Sequence, residues 1–136
     1  MDYPRQIDLA WLAVDENGRL AVMITGGEGP IPAQVLARDD DDVFGVEEAL
    51  LGLPSVGAAS VQVQVPNPAS FKALSERGLF VYDWTDVHRP LTSVVGAYEL
   101  VASPSVDLGL IDLPIELHRL AALIDGQVGA RALKIA

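Results

Sequence analysis

The sequence predicts a single α+β domain, residues 1–136, in which about three helices pack on a mainly antiparallel sheet of about five strands. Strand-like segments come in pairs near the start and in the second half of the chain, and helix-like segments lie between and after these pairs. With 136 residues, half of them hydrophobic, the chain is long enough to bury one core of its own.

The first predicted element is a β-hairpin. Residues 7–14 and 19–25 are rich in Val, Ile, Leu and Ala, and the DENG sequence between them favours a turn because Gly18 adopts a positive φ at little cost. Apolar residues occupy both faces of the two strands. This pattern is typical of strands that lie in the middle of a sheet covered on both sides.

The loop that follows, ITGGEGPIP over residues 24–32, packs three glycines and two prolines around a single acid, Glu28. A phosphate-binding loop needs a lysine after its second glycine, and no lysine occurs before Lys72. The three-glycine dinucleotide pattern is missing as well. The favoured interpretation is a sharp, stiffened exit from the second strand, and a partner that rests on the loop stays an alternative.

Two helices are expected next. Pro32 is suited to start a short helix from Ala33 to Arg38, because proline is tolerated in a first turn. Asp42 is a plausible N-cap for a second helix that runs to about Leu51, where Gly52 and Pro54 stop it, although a glycine in its first turn opposes it. Acids at this start meet the positive end of the helix dipole favourably.

The second half predicts one strand, one helix and then two more strands. Alternation of Val and Gln over 61–65 predicts an edge strand that Pro66 ends. Asn67 as cap, Pro68 at the first helical position and Gly78 just past the end bound a helix. Strands are then predicted over 79–85 and over 92–103, where Pro104 closes the second.

The C-terminal part predicts a loop over 105–114 and then a helix over 115–124, since its apolar residues follow near-helical spacing and Gly126 can stop it. The tail after Gly126 is compatible with a frayed end, a short helix or a final strand.

Composition excludes several classes of protein. The chain has no cysteine, which removes disulfides, thiolate metal sites and a cysteine nucleophile, and suits a bacterial cytosol. The first ten residues lack the features of a signal peptide, and the longest uncharged run, residues 49–71, is broken by prolines. We expect a cytoplasmic protein without membrane contact. The mean hydropathy of +0.30 is compatible with apolar surface buried against a partner or in a homodimer.

Charge is the sharpest global feature. The net charge is −10, and residues 1–50 hold 11 acids and 3 bases. An acidic surface repels phosphate backbones, so we expect no nucleic-acid binding, whereas a basic protein partner would be steered towards it. The candidate partner-binding residues are the acids that follow the hairpin: Glu28, Asp39, Asp40, Asp41, Asp42, Glu47 and Glu48.

The sequence offers little for catalysis or metal binding. His88 lies near Asp83 and Asp86, and this group is the best candidate for acid–base chemistry, while His118 and Glu116 are predicted on different sides of a helix, with His118 facing solvent. Nucleophile-elbow, zinc and EF-hand patterns are missing. We therefore expect no catalytic residue, no cofactor and no metal.

Two tryptophans, Trp11 and Trp84, lie in predicted strands, and at least one should belong to the core. If the other is exposed beside acids, it would make a good interface anchor.

Five segments in this order carry a resemblance: YP at 3–4, WLAVDENGRLAVMITGGEGPIP, GLFVYDW, YELVASP and DLP. Over Tyr3 to Ile124 the chain resembles a family of small bacterial proteins found among the immunity proteins of polymorphic toxin systems. The resemblance implies a cytosolic protein that binds and blocks a cognate toxin, and it transfers no functional residue.

Three functions follow as hypotheses. The leading one is a protein-binding module, not an enzyme, that acts as an immunity-type inhibitor through its acidic surface. The alternatives are a small-ligand binder or enzyme of unknown reaction, with a pocket near the glycine-rich loop or near Asp83, Asp86 and His88, and a homodimeric structural protein without ligand.

Overall fold

The protein is built on one mixed β-sheet with helices packed against it. A computed structural model describes residues 1–62, 68–84 and 96–135. The strands are β1 Ala10–Val14, β2 Leu20–Ile24, β3 Ala59–Val61, β4 Phe80–Trp84, β5 Tyr98–Pro104, β6 Ala121–Leu123 and β7 Ala132–Leu133. The helices are α1 Ala33–Leu36, α2 Asp40–Phe44, α3 Val46–Leu51 and α4 Ala69–Glu76, with 3₁₀-helices η1 Leu110–Asp112 and η2 Ile115–Leu120. The predicted α+β class is confirmed.

The sheet departs from the predicted one in strand number and direction. The strand order is β3-β5-β4-β2-β1-β6, and β7 also pairs with β5. The pairs β2–β4 and β1–β6 are parallel, while β1–β2, β3–β5, β4–β5 and β5–β7 are antiparallel. The sheet is therefore mixed, with seven strands in the described ranges, because α1 to α4 carry the chain back to start β4 parallel to β2.

The hairpin at the start is confirmed, with Val14 paired to Leu20 and Ala10 to Ile24. Gly18 has a φ of +80° in the turn. Both strands are buried along their whole length, as their apolar character on both faces predicted. The hairpin thus supplies two neighbouring interior strands of the sheet, flanked by β4 and β6.

The buried Asp15 fixes the hairpin turn. Its Oδ1 accepts the backbone amides of Asn17 at 2.9 Å and Arg19 at 3.0 Å, and its Oδ2 accepts that of Val128 at 2.9 Å. One carboxylate therefore holds the turn and ties it to the C-terminal segment. Such charge-assisted bonds are stronger than neutral ones.

The core forms two layers, one on each face of the sheet. Successive residues of each strand point to opposite faces, so neighbours in sequence belong to different layers. The first layer centres on Trp11, Met23, Tyr82 and Tyr98. The second layer, covered by α3 and α4, centres on Leu12, Val22, Leu50, Leu74, Val81 and Val101.

The helix predicted from Asp42 to Leu51 is two helices. Asp39, with an extended backbone, takes the N-cap position of α2, so the prediction of Asp42 as N-cap is wrong. Gly45 separates α2 from α3, and a Cβ at this position would lie 2.5 Å from the Asp41 carbonyl oxygen. The chain bends where only a glycine allows so close an approach.

The helix predicted over 115–124 is also wrong. The segment forms η2 and then β6, whose Ala121 and Leu123 pair with Leu12 and Val14 of β1. Pairing with the hairpin overrides the local helical spacing of the apolar residues. The tail, for which three conformations were open, forms β7, and the expected loop before Pro114 contains η1.

The remaining elements are close to their predicted positions. The helix α4 begins after Pro68, which is its N-cap rather than its first residue, and Pro104 is the last residue of β5, where the strand was predicted to close. Parts of several predictions lie outside the described residues: Val63, Val65, Pro66, Asn67, Thr85, Asp86, His88 and residues 92–95. In the described part of the chain, no helix has the length and apolar character needed to cross a bilayer.

Candidate functional site

The glycine-rich loop folds back onto the protein's own core. Gly26 and Gly27 have φ of +60° and +84°, so they make the turn that leaves β2. Gly29 has a different role, since a Cβ there would lie 2.6 Å from the hydroxyl oxygen of Tyr98 and 3.1 Å from Cβ of Trp84. This packing agrees with the interpretation that the loop turns the chain.

Two tyrosines hold the loop in place. Tyr3 donates its hydroxyl proton to the carbonyl of Gly29 at 2.6 Å, and Tyr98 donates to that of Pro30 at 2.9 Å. The Tyr98 oxygen also accepts Trp11 Nε1 at 3.2 Å. Burial raises the pKa of Tyr98, and the hydrogen bond from Trp11 opposes this shift. The loop is thereby anchored to the first core layer.

The two tryptophans have different surroundings. Trp11 is fully buried, and Trp84 is half-buried with its ring centroid 5.2 Å from that of Tyr98. Both therefore belong to the core or its margin. Neither is the exposed aromatic anchor that the sequence left open.

The acids predicted to bind a partner fall into three groups. Asp39, Asp40, Asp41 and Glu48 are exposed on or just before α2 and α3, and Glu28 is exposed on the glycine-rich loop. Within the residues that the structure describes, none of these five forms an ion pair. The first four are therefore exposed, unpaired acids of one chain segment, residues 39–48, within the described part of the chain.

Asp42 differs from its neighbours because it is already paired. Its Oδ1 accepts Arg119 Nη2 at 3.0 Å and its Oδ2 accepts Nε at 3.2 Å, which links α2 to η2. The hydrogen bond and charge of Asp42 raise the pKa of Arg119. Asp42 is thus occupied within the molecule. Its predicted role as a free partner-binding acid is not supported by this contact.

Several arginines are used to tie elements together. Arg38 donates to the carbonyls of Leu120 and Ala121 at 2.8 and 3.2 Å, and its partial burial lowers its pKa. Two other arginines act alike: Arg77 donates to carbonyls of residues 51, 53 and 73, and Arg19 to that of residue 128 and to Asp107. These arginines serve the fold, and the exposed acids Asp40, Asp41 and Glu48 keep their charge towards solvent.

An exposed aromatic residue lies among these acids. Phe44, the last residue of α2, is 48% exposed. Asp40 and Asp41 precede it by four and three residues, so they share its side of the helix. Phe44 was not among the predicted anchors, which were the two tryptophans. The spacing within the helix could have indicated it.

A cleft of about 250 Å³ opens near the glycine-rich loop. Its walls come from the start of β1, the end of β2 and β4, and from α3 and α4: Asp8, Leu9, Ala10, Ile24, Glu47, Ser70, Phe71 and Asp83. Oδ1 of Asp8 accepts the amide of Gly26 at 2.9 Å, so the loop borders the cleft. Glu47, predicted as a surface acid, is half-buried in this wall.

One row of side chains runs across the sheet, and its first three members line the cleft. The registers place Ala10, Ile24, Asp83 and Glu99 side by side on β1, β2, β4 and β5. All four share the face of the second core layer, because Asp83 and Glu99 are two residues from Val81 and Val101 of that layer. Asp83 is 7% exposed and Glu99 is 3% exposed.

Asp83 lines the cleft together with Asp8 and Glu47. Asp86 and His88, with which the sequence grouped Asp83, lie outside the described residues, so that grouping stays a prediction. Glu99 was missed altogether. A single acid inside the apolar strand YELVAS was the available indication of it.

His118 does not face solvent as predicted. It is half-buried, and its Nε2 lies 2.7 Å from the carbonyl oxygen of Leu113. This contact ties η2 to the end of η1. Among residues 1–62, 68–84 and 96–135, no three acid, histidine or cysteine side chains come together as a metal-binding group.

The comparisons with known proteins give no match. No protein-family model, no curated protein and no solved structure matches the chain. The resemblance to immunity proteins therefore stays a prediction based on the motifs of the sequence, and function has to be argued from the two surfaces described above.

Proposed function

We propose that the protein is a protein-binding module, an immunity-type inhibitor that occludes a cognate bacterial toxin in the cytoplasm. The proposal rests on one observation, an exposed aromatic side chain among carboxylates that form no ion pair with any described residue. We call this surface the acidic ridge and define it as Asp39, Asp40, Asp41, Phe44 and Glu48. It is formed by α2 and α3, which pack on the sheet through Val43, Val46 and Leu50.

The two kinds of residue on the ridge would act on different steps of binding. Carboxylates attract a basic partner over distances of about a Debye length, roughly 8–10 Å at physiological salt, and so raise the association rate. A desolvated aromatic side chain at the centre of an interface contributes to the lifetime of the complex. The predicted partner is a toxin with a basic surface around an apolar pocket.

The charge part of the proposal is tested with a matched pair of double variants. Asp40→Asn with Asp41→Asn removes two ridge charges and spares both the N-cap Asp39 and the paired Asp42. Glu16→Gln with Asp125→Asn makes the same change in net charge at two exposed positions elsewhere. The ligand is the protein encoded by the neighbouring gene, and association is followed by surface plasmon resonance at several salt concentrations.

We expect the ridge variant to associate about tenfold more slowly at low salt, and the two double variants to converge at high salt, where charges are screened. Phe44→Ala should speed dissociation roughly 30-fold, which corresponds to about 2 kcal/mol for an interface anchor. The exposed Ile111 supplies the matched control, Ile111→Ala. Equal kinetics for the ridge and control variants, with the toxin still bound, would reject the ridge as the interface.

A second function, small-ligand binding, is favoured by the cleft. Its walls combine acidic, aromatic and aliphatic side chains near the glycine-rich loop, one of the two places at which the sequence analysis located an alternative pocket. The homodimeric alternative has no comparable observation in its favour.

A further inference from the structure

The tip of the β1–β2 hairpin carries a pair of residues with a reactivity of its own. Asn17 is exposed and is followed by Gly18, which has no side chain to shield its backbone nitrogen. In such a pair the glycine nitrogen can attack Cγ of the asparagine. The other asparagine of the chain, Asn67, precedes a proline, whose nitrogen has no proton to give up. Asn17 is therefore the asparagine at which this reaction is accessible.

The reaction at Asn17 has two steps and needs only water. In the first step, the Gly18 nitrogen bonds to Cγ of Asn17 and the bond from Cγ to Nδ2 breaks. Ammonia leaves with the proton that the Gly18 nitrogen gives up, and a five-membered succinimide ring remains. In the second step, water opens the ring at either carbonyl and gives aspartate or isoaspartate at position 17. Both products add one negative charge, and isoaspartate also adds one carbon to the main chain.

The folded turn holds this pair in an unreactive geometry. The Gly18 amide donates to the carbonyl of Asp15 at 3.0 Å, and neither Glu16 nor Asn17 has a positive φ, so the turn is of type I. In a type I turn the ψ of the third residue, here Asn17, is about 0°. The Gly18 nitrogen then eclipses the nitrogen of Asn17, whereas ring closure needs it to eclipse Cβ of the same residue.

Other hydrogen bonds resist the rotation that would bring the reacting atoms together. Asp15 Oδ1 accepts the amides of Asn17 at 2.9 Å and Arg19 at 3.0 Å, so it holds the backbone on both sides of the pair. The carbonyl of Gly18 accepts the Leu110 amide at 2.8 Å, which fastens the turn to η1. The attacking nitrogen must also lose the proton that it donates to Asp15. The turn therefore has to open before the ring can close.

We propose that Asn17 is a site of spontaneous deamidation and that the closed hairpin turn, held by Asp15, controls its rate. Local opening is a microsecond-to-second event, and ring closure is slower. The rate therefore follows the population of the open turn. Reaction in the open state is irreversible, and the longer backbone of isoaspartate no longer matches the hydrogen bonds of the turn. The site is independent of the proposed inhibitor function.

The first experiment compares the folded protein with the unfolded chain. Both are kept at the same pH and temperature, one in buffer and one in unfolding urea, and samples are diluted and digested with trypsin at intervals. Mass spectrometry of the peptide of residues 6–19 places the change at position 17, and a sample from time zero gives the background. We expect the unfolded chain to deamidate at least about tenfold faster. Equal rates would overturn the control by the turn, and an unfolded chain that keeps Asn17 intact would overturn the site.

A matched pair of variants tests the part of Asp15. Asp15→Ala removes the acceptor of the Asn17 and Arg19 amides, and Glu16→Ala removes the same charge from the exposed neighbouring position. In buffer, Asp15→Ala should deamidate about tenfold faster than the wild type because its turn opens more often, and Glu16→Ala should match the wild type. In unfolding urea all three should react alike. Equal rates for the two folded variants in buffer would contradict the role of Asp15.

A measurement on the wild type keeps the test valid if Asp15→Ala fails to fold. Hydrogen exchange at the Gly18 amide, followed by NMR, reports how rarely its bond to the Asp15 carbonyl opens. If ring closure goes through the same opening, the fold should slow deamidation and slow this exchange by factors that agree within about threefold. Deamidation slowed much less than exchange would show that the ring closes without opening of the turn, and would overturn the proposal.

Discussion

The substitution Gly29→Ala tests whether the glycine-rich loop serves the fold. An added Cβ would lie 2.6 Å from the Tyr98 hydroxyl oxygen and 2.9 Å from its Cζ, far inside van der Waals contact. Tyr98 is fully buried and is fixed by hydrogen bonds to Trp11 and Pro30, so it cannot move aside without losing them. The methyl group therefore displaces the Tyr98 ring, which breaks these hydrogen bonds and also overpacks the surrounding core.

The expected loss follows from these contacts. Two hydrogen bonds contribute about 1 kcal/mol each, and overpacking of a filled core costs about 1–3 kcal/mol. We expect Gly29→Ala to lower the free energy of unfolding by about 3–5 kcal/mol. Gly26→Ala, at a φ of +60° with no atom within 4 Å of the new Cβ, should cost only about 1–2 kcal/mol of backbone strain.

Urea denaturation followed by tryptophan fluorescence measures both variants, since Trp11 and Trp84 lie in the same cluster. On a Tyr98→Phe background the nearest atom is gone, and Gly29→Ala should cost at least about 1 kcal/mol less than in the wild type, an interaction between neighbours. If Gly29→Ala is no more destabilising than Gly26→Ala, the close packing of this loop on Tyr98 is refuted.

Two further outcomes are expected. Asp15→Asn should lower the free energy of unfolding by about 2–3 kcal/mol, because an amide group set against the Val128 amide leaves a buried donor unsatisfied; Glu16→Gln is the exposed control, and equal midpoints in urea would contradict the prediction. Burial raises the pKa of Tyr82 from 10.0 to about 12. The unfolded chain therefore loses this proton first, and stability present below pH 10 should fall by at most about 3 kcal/mol as pH rises to 12. Tyr82→Phe should flatten that decline in urea titrations across this range, and an unchanged slope would argue against it.

Elements whose start and end are marked by residues close in the sequence were predictable. The hairpin has its own turn residues, and α4 has a proline before it and a glycine after it, so both are found close to their predicted positions. The helix expected over 115–124 was wrong, because a short segment with apolar residues at helical spacing can equally join a sheet when a distant strand offers it an edge. No local pattern specifies that edge.

In the candidate sites, too, features formed by neighbouring residues were predicted, whereas contacts between distant residues were not. The acids of α2 and α3 were predicted because consecutive aspartates are visible in one short stretch, whereas the pairing of Asp42 with Arg119 joins residues far apart in the chain. The cleft brings together Asp8, Glu47 and Asp83 from three separate segments, and strand pairing sets Glu99 beside Asp83. Their proximity follows from strand register, which composition and spacing do not determine.

The strand order also has a kinetic consequence. Leu12 of β1 pairs with Ala121 of β6, and Val22 of β2 pairs with Val81 of β4, so the middle of the sheet joins segments that are remote along the chain. Closing such large loops costs entropy before any contact is gained, which slows folding relative to proteins with mostly local contacts. Until β4 and β6 pair with it, the hairpin exposes two unpaired apolar strand edges. Other chains can pair with these edges, so aggregation would compete with folding during this interval.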